Sequence, residues 1–230
     1  MTLDGKAAAR AELLARRTAL TADVRAVAAA RLVGHLLAAP ALAGLVPRAG
    51  NAAGAAVTGA GGDGIPGAVV AAYVPIGAEP GGPGLPEALR AAGATVLLPV
   101  LLPDNDLDWA RYERPGDLAD ARRGLREPVG ERLGADAVAR ARLLLVPALA
   151  VDRRGVRLGR GGGSYDRALT RVAAGTPVVA LLHDGELLDE LPAEPHDRLV
   201  SAVVTPSGGW SALPCEMPYI RGSAGRSGGP

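Results

Sequence analysis

The sequence predicts an open α/β sheet, mostly parallel and flanked by helices. Three observations carry that prediction. Short apolar runs recur at 68–74, 95–102, 143–151, 177–182 and 199–204, each of a length that suits a buried strand. Helix-compatible segments lie between several of them, and such alternation favours parallel strands covered on both faces. A turn with four glycines in ten residues, Arg157-Leu-Gly-Arg-Gly-Gly-Gly-Ser-Tyr-Asp166, follows the run 143–151 and leads into a helix-compatible segment.

Taken in order, residues 6 to 37 read as two helices. Leu13, Leu14, Leu20, Val24, Val27, Ala28, Leu32 and Leu36 recur at spacings of three and four, with Thr21 as a cap between the helices. Lys6 and Arg10 are four apart and share a face. Residues 47–68 are rich in Gly, Ala and Pro without periodicity, which reads as a flexible insertion inside one domain spanning 1–206. The strand at 68–74 ends at Pro75 and delivers Val74 and Glu79 to a loop at its C-terminal end, where open α/β sheets place their ligands. A helix at 85–92 has Pro86 near its start and Gly93 past its end. The strand 95–102 follows, and then Trp109 and Tyr112, two of six aromatic residues in a chain without Phe. Each is a packing anchor or a wall for a flat ligand. A helix is expected at 134–142, a central strand at 143–151, a helix at 164–174 with Ser164 as its cap, and a strand at 177–182. An acidic helix or turn is expected at 186–190, and a last strand at 199–204. Residues 207–230 read as a low-complexity tail, poorly ordered.

The glycine turn is suited to an anion. Glycines let main-chain N–H groups approach a phosphate, and the N-terminus of the following helix adds partial positive charge. Arg153, Arg154, Arg157, Arg160, Arg167 and Arg171 surround it against Asp152 and Asp166, an excess suited to a polyphosphate. The net charge of +1 gives no signal for nucleic acid or membrane. A single cysteine, Cys215, excludes an intramolecular disulfide and a Cys-based zinc site. No apolar stretch spans a bilayer, and the N-terminus lacks the apolar core of a signal peptide, so a cytoplasmic location is expected. Lys6 is the single lysine among 25 basic residues, a candidate for a role that needs a compact ammonium.

Several separate stretches together resemble one family, the 5-formyltetrahydrofolate cyclo-ligases. They are Lys6-x-x-x-Arg10 with Leu13-Leu-Ala-Arg16-Arg17, Tyr73-x-Pro75-x-x-x-Glu79 and Glu127-Pro128. The others are Val146-Pro-Ala-Leu-Ala-Val-Asp152 running into the glycine turn, and His196-Asp197 with Val204-Thr-Pro206. The resemblance implies a sheet related to the sugar-phosphate isomerase and coenzyme A transferase fold. It implies a ligase that uses Mg-ATP to convert 5-formyltetrahydrofolate into 5,10-methenyltetrahydrofolate, with ADP and phosphate released. Small-molecule substrates, no nucleic acid or membrane partner and a monomer are expected. By resemblance, Lys6, Arg10 and the cradle Arg157, Leu158, Gly159, Arg160, Gly161, Gly162, Gly163, Ser164 and Tyr165 bind ATP. Tyr165 and Arg157 act in catalysis, and Val74, Glu79, Trp109 and Tyr165 contact the folate. Asp166 and Asp197 hold magnesium. The family has two tyrosines before the aspartate, and here the first is Ser164. Two other classes stand beside this one: a binder of nucleotide or folate without turnover, and a related-fold isomerase or acyl transferase. The latter leaves Lys6 and Arg10 unexplained.

Overall fold

A computed structural model of the chain describes residues 5–43, 45, 68–194 and 197–214. Of the insertion expected at 47–68, all but Ala68 lies outside these residues, as do His196, Cys215 and the rest of the C-terminal tail.

Helix α1 (Lys6–Ala19) buries Ala9, Leu13 and Arg17, which fall on one stripe at a spacing of four. Thr21 caps α2 (Ala22–Ala38), its Oγ accepting from the Val24 N–H at 3.3 Å. α2 buries Ala28, Leu32 and Leu36, and α3 (Pro40–Ala43) adds Leu42. The strands, in chain order, are β1 (Val69–Ala71), β2 (Thr95–Leu101), β3 (Leu107–Tyr112), β4 (Leu118–Asp120), β5 (Arg126–Pro128) and β6 (Leu143–Val146). They continue as β7 (Ala150–Asp152), β8 (Arg157–Leu158), β9 (Val178–Leu181), β10 (Leu187–Leu188), β11 (Ala202–Thr205) and β12 (Gly209–Ala212). Helices α4 (Leu85–Ala91) and α5 (Ser164–Leu169) complete the set.

The main sheet has seven strands in the order β12-β11-β9-β6-β1-β2-β3. β2, β1, β6, β9 and β11 run parallel, while β3 and β12 close the two edges antiparallel. Successive residues of the parallel strands face opposite sides, as the period of two requires. Ala71, Leu97, Leu144, Val146 and Ala180 join one core with Trp109 and α5, whereas Val70, Leu98, Leu143, Leu145 and Val179 join the other with α2 and α4. From β1 the chain builds outward to β2 and β3 on one side and to β6, β9 and β11 on the other. The direction therefore reverses between β1 and β6, which is where open α/β sheets open a crevice.

Several expectations are corrected. The run 143–151 is two strands, because Pro147 has no N–H for the ladder and the chain leaves the main sheet there. β7 instead pairs with β8 and β10 in a small sheet. That sheet, with Leu149, Val156 and Leu191, packs under Ala9 and Leu13 of α1. The expected helix at 134–142 is a 3-10 helix, Ala135–Arg140, the form taken by short connecting segments. α5 stops at Leu169 rather than continuing to 174, and its N-cap is Gly163, not Ser164. The left-handed Gly163 backbone (φ 70°) turns the chain into the helix without a side-chain cap. Residues 186–190 supply the strand β10, because the buried Leu188 extends the small sheet. Past the boundary expected at 206, Gly209–Ala212 pairs with β11, and Trp210 packs against the α2-side core.

Candidate active site

The loops leaving the C-terminal ends of β1 and β6 enclose a cavity of about 390 Å³, within the size range of small-molecule sites. Its lining brings together Lys6 and Arg10 from α1, Val74 and Glu79 from the loop after β1, the whole stretch from Arg157 to Asp166, and Asp197. Every residue assigned to the site by resemblance is therefore in one place except Trp109. Arg153, Arg154, Arg167 and Arg171, counted above with the positive charge of the turn, do not line the cavity and are tied to Asp189, to Asp152 and Glu190, to the Asn105 carbonyl and to Asp106, respectively. Tyr112 is buried away from it. The Trp109 side chain has 0% exposure and packs in the core beneath β3, so a wall for a flat ligand is corrected to a packing anchor.

The glycine turn is braced from beneath. The Arg157 guanidinium donates from Nη2 to Asp166 Oδ1 at 2.6 Å and from Nη1 to the Pro147 carbonyl at 3.2 Å. It lies against Gly159, where a Cβ would stand 2.8 Å from Nη1, so any larger residue would push it away. Arg157 is 6% exposed, and its buried Nε has no partner among the described residues. Arg10 reaches across from α1 and donates from Nε to the Gly159 carbonyl at 2.9 Å. Lys6 Nζ lies 3.0 Å from Glu194 and 3.3 Å from Asp197. Burial works against the Lys6 charge, but its bonds to Glu194 and Asp197 outweigh that and raise its pKa.

The loop after β1 is held just as firmly. Tyr73 donates its hydroxyl to the Pro80 carbonyl at 2.7 Å, and the Ile76 N–H donates to Glu79 Oε2 at 3.1 Å. Glu79 Oε1 meets Arg160 Nε at 3.1 Å, so the carboxylate of this loop touches the turn directly. The Glu79 side chain is 9% exposed while Arg160 is more than half exposed. Tyr165 packs against both faces of the core at the inner end of the cavity. Its burial, reinforced by Glu79 and opposed by Arg157, pushes the phenol well above its ordinary value, so it stays a hydrogen-bond donor at neutral pH.

Sequence reasoning assigned no role to Arg17 beyond its place in a motif. It lines the cavity and is buried, pairing in bidentate fashion with Glu186 (2.6 and 2.8 Å) and donating to the Ala148 carbonyl at 2.6 Å. The signal was present: positions 6, 10 and 17 repeat on one helical face with Leu13. Asp152 is a second such anchor, fully buried and accepting from the N–H groups of Arg154, Val156 and Leu191 and from the Arg154 guanidinium. A third group, Arg123, Leu125, Arg126 and Glu127 on the β4–β5 hairpin, forms a wall that no motif announced apart from Glu127. In all, seven Lys or Arg side chains line the cavity against four carboxylates, a balance that favours an anionic ligand.

Asp166 and Asp197 both line the cavity, each already engaged by a cation of the protein. Among the described residues no group of three or more His, Cys, Asp or Glu could enclose a metal. Such a pair fits a hard cation that takes most of its ligands from water and phosphate oxygens, and does not fit an all-protein cage. Among the described residues no helix is long and apolar enough to cross a membrane.

Comparison with known proteins points to one family. Residues 66–206 match the model of the 5-formyltetrahydrofolate cyclo-ligase family. The chain is 51% identical over 154 residues to the 5-formyltetrahydrofolate cyclo-ligase of Mycolicibacterium smegmatis, covering 65% of this chain and 79% of that one. It is 38% identical over 127 residues to the Escherichia coli K12 enzyme of the same name, covering 54% and 70%. The fold superposes on the Aquifex aeolicus 5,10-methenyltetrahydrofolate synthetase with a TM-score of 0.69 and 25% identity, over 94% of this chain and 99% of the other. A synthetase of the same name from Mycoplasma pneumoniae shares the fold at a TM-score of 0.62 and 18% identity, over 87% and 98%. With the matched stretch spanning the β1 loop, the glycine turn and Asp197, the chain belongs to the 5-formyltetrahydrofolate cyclo-ligase family.

Proposed function

We propose that this protein uses ATP to close 5-formyltetrahydrofolate to 5,10-methenyltetrahydrofolate, releasing ADP and phosphate. The observation that carries the reading is the direct contact of Glu79 with Arg160, which puts a carboxylate suited to a pterin's donor-rich edge beside a glycine turn suited to phosphates. The formyl oxygen attacks the γ-phosphorus as the bond to the ADP oxygen breaks. N10 then adds to the activated carbon and loses its proton, and phosphate departs carrying the former formyl oxygen. Activation is needed because an amide oxygen is a poor leaving group and a phosphate is a good one.

In this reading Lys6, Arg10, Arg157 and the N–H groups of 158–163 hold the nucleotide phosphates. Val74 and Glu79 hold the folate, and the Tyr165 hydroxyl donates near the formyl group. Phosphoryl transfer depends mainly on positioning and charge neutralisation, so no covalent nucleophile is required. Asp166 and Asp197 would hold Mg²⁺, which supplies neutralisation of phosphate charge. We further read the chain as one cytoplasmic, monomeric domain whose sheet is related to the sugar-phosphate isomerase and coenzyme A transferase fold. Five parallel strands, with the cavity at the C-terminal ends of β1 and β6, support that kinship.

The test is to mix the protein with 5-formyltetrahydrofolate and Mg-ATP and follow the near-ultraviolet absorption of the conjugated methenyl product together with ADP. Product and ADP should form in equal amounts. Absence of both would overturn the reading.

A further inference from the structure

Of the cations lining the cavity, Arg123 alone has no hydrogen-bond or ion-pair partner among the described residues. Its hairpin neighbours are fastened: Arg122 donates to the Leu101 carbonyl at 3.0 Å, and Arg126 donates to the Leu118 carbonyl at 3.1 Å. The hairpin itself is anchored to the main sheet, because Glu127 Oε1 accepts from the Leu101 N–H at 2.9 Å. Arg123 is presented from a left-handed backbone (φ 60°, ψ 25°), a conformation that costs a residue with a Cβ and that clusters at ligand clamps. A free guanidinium is thus held on an anchored support at the edge of the cavity.

The surroundings indicate its ligand. Phosphate suits the glycine turn, with its main-chain N–H groups, the start of α5 and Lys6, Arg10 and Arg157. The hairpin side has none of that apparatus. It offers apolar surface from Pro99, Leu101, Leu107 and Leu125, which suits a flat aromatic ring, together with Arg123, while Arg126 and Glu127 of the same wall are already bonded to the Leu118 carbonyl and the Leu101 N–H. A folate has both chemistries: an aminobenzoyl ring followed by glutamyl carboxylates. Planar, bidentate pairing with a carboxylate is what a guanidinium does best. Resting on the cyclo-ligase reading, we propose that Arg123 clamps a carboxylate of the folate's glutamyl tail, so that the β4–β5 hairpin is the tail subsite.

The experiment uses the full chain and the Arg123→Asn variant, since Asn tolerates the left-handed backbone. kcat and KM are measured with 5-formyltetrahydrofolate and with 5-formyltetrahydropteroate, which lacks the glutamate. The expected result is a KM for 5-formyltetrahydrofolate raised about tenfold, the effect of losing one charge-assisted pair, with kcat and the KM for ATP changed less than twofold. The difference between variant and unaltered protein should shrink to less than twofold on the pteroate, and Arg123→Lys should recover part of the loss. A penalty of equal size on the pteroate would overturn the proposal, and so would a penalty in the KM for ATP, which would make the anion a phosphate. Failure of the unaltered protein to convert either folate would instead overturn the cyclo-ligase reading, and this proposal with it.

Discussion

On the wall of the cavity formed by α1 and the glycine turn, each cation is fastened to a protein group. Arg10 holds the Gly159 carbonyl, Arg157 holds Asp166 and Pro147, Lys6 holds Asp197 and Glu194, and Arg17 holds Glu186 and Ala148. The wall formed by the β4–β5 hairpin differs. It is tied to the sheet through backbone groups and Glu127, and it leaves Arg123 unengaged. The contrast shows two ways to meet a charged ligand. Donors held in advance lose little freedom when charge develops, which suits a reacting phosphoryl group. A free side chain loses rotamer entropy on binding but adapts to a ligand's far end, which suits affinity and substrate preference.

The largest break in the comparison should come from Arg17→Met, which leaves Glu186 buried and unpaired under the fastened wall. A loss of about 3–5 kcal/mol is expected, read from the denaturation midpoint, and Glu186→Gln in the same chain should recover much of it. Next is Asp166→Asn, which removes the Arg157 partner and the proposed metal ligand. kcat should drop about 10²–10³-fold in single-turnover assays at a temperature where the variant remains folded. Lys6→Ala should raise the KM for ATP about tenfold, a loss of about 1.4 kcal/mol of binding, with the KM for folate unchanged. Because the Lys6 pKa is raised, its charge is kept below the ordinary lysine value and lost only as pH climbs past it. ATP affinity of the unaltered protein should therefore stay level from neutral pH to about pH 10. The smallest effect concerns the other wall: Glu127→Ala leaves the Leu101 N–H without its acceptor, costing about 1 kcal/mol. That loss should show as faster amide exchange in the hairpin.

Much of the fastened wall was legible in the chain. Lys6, Arg10, Glu79, the glycine turn and Asp197 form an ordered set of motifs, and all of them line one cavity. The hairpin wall was not legible, because β4 and β5 are three residues each and carry no apolar periodicity. Trp109 could not be assigned either, since an aromatic ring lines a core or a ligand site with the same composition. Only the packing of β3 against the 3-10 helix and α5 settled it. The run Leu143–Val151 misled for a related reason: apolar residues continue through Pro147, and the missing N–H that ends the main-sheet strand is one atom in a uniformly apolar stretch.

The sequence by itself determined the α/β class, the two N-terminal helices with their Thr21 cap, and the glycine turn at 157–166. These rest on local chemistry: side-chain period, a hydroxyl cap, and glycines that permit positive φ. The tertiary structure alone decided which charges meet. Lys6 and Asp197 are 191 residues apart, and Arg17 and Glu186 are 169 apart, so their pairing comes from the reversal of direction between β1 and β6 and the seating of α1 on the small sheet. Coulomb attraction and hydrogen bonds act over a few ångströms of space, and distance along the chain does not encode that proximity.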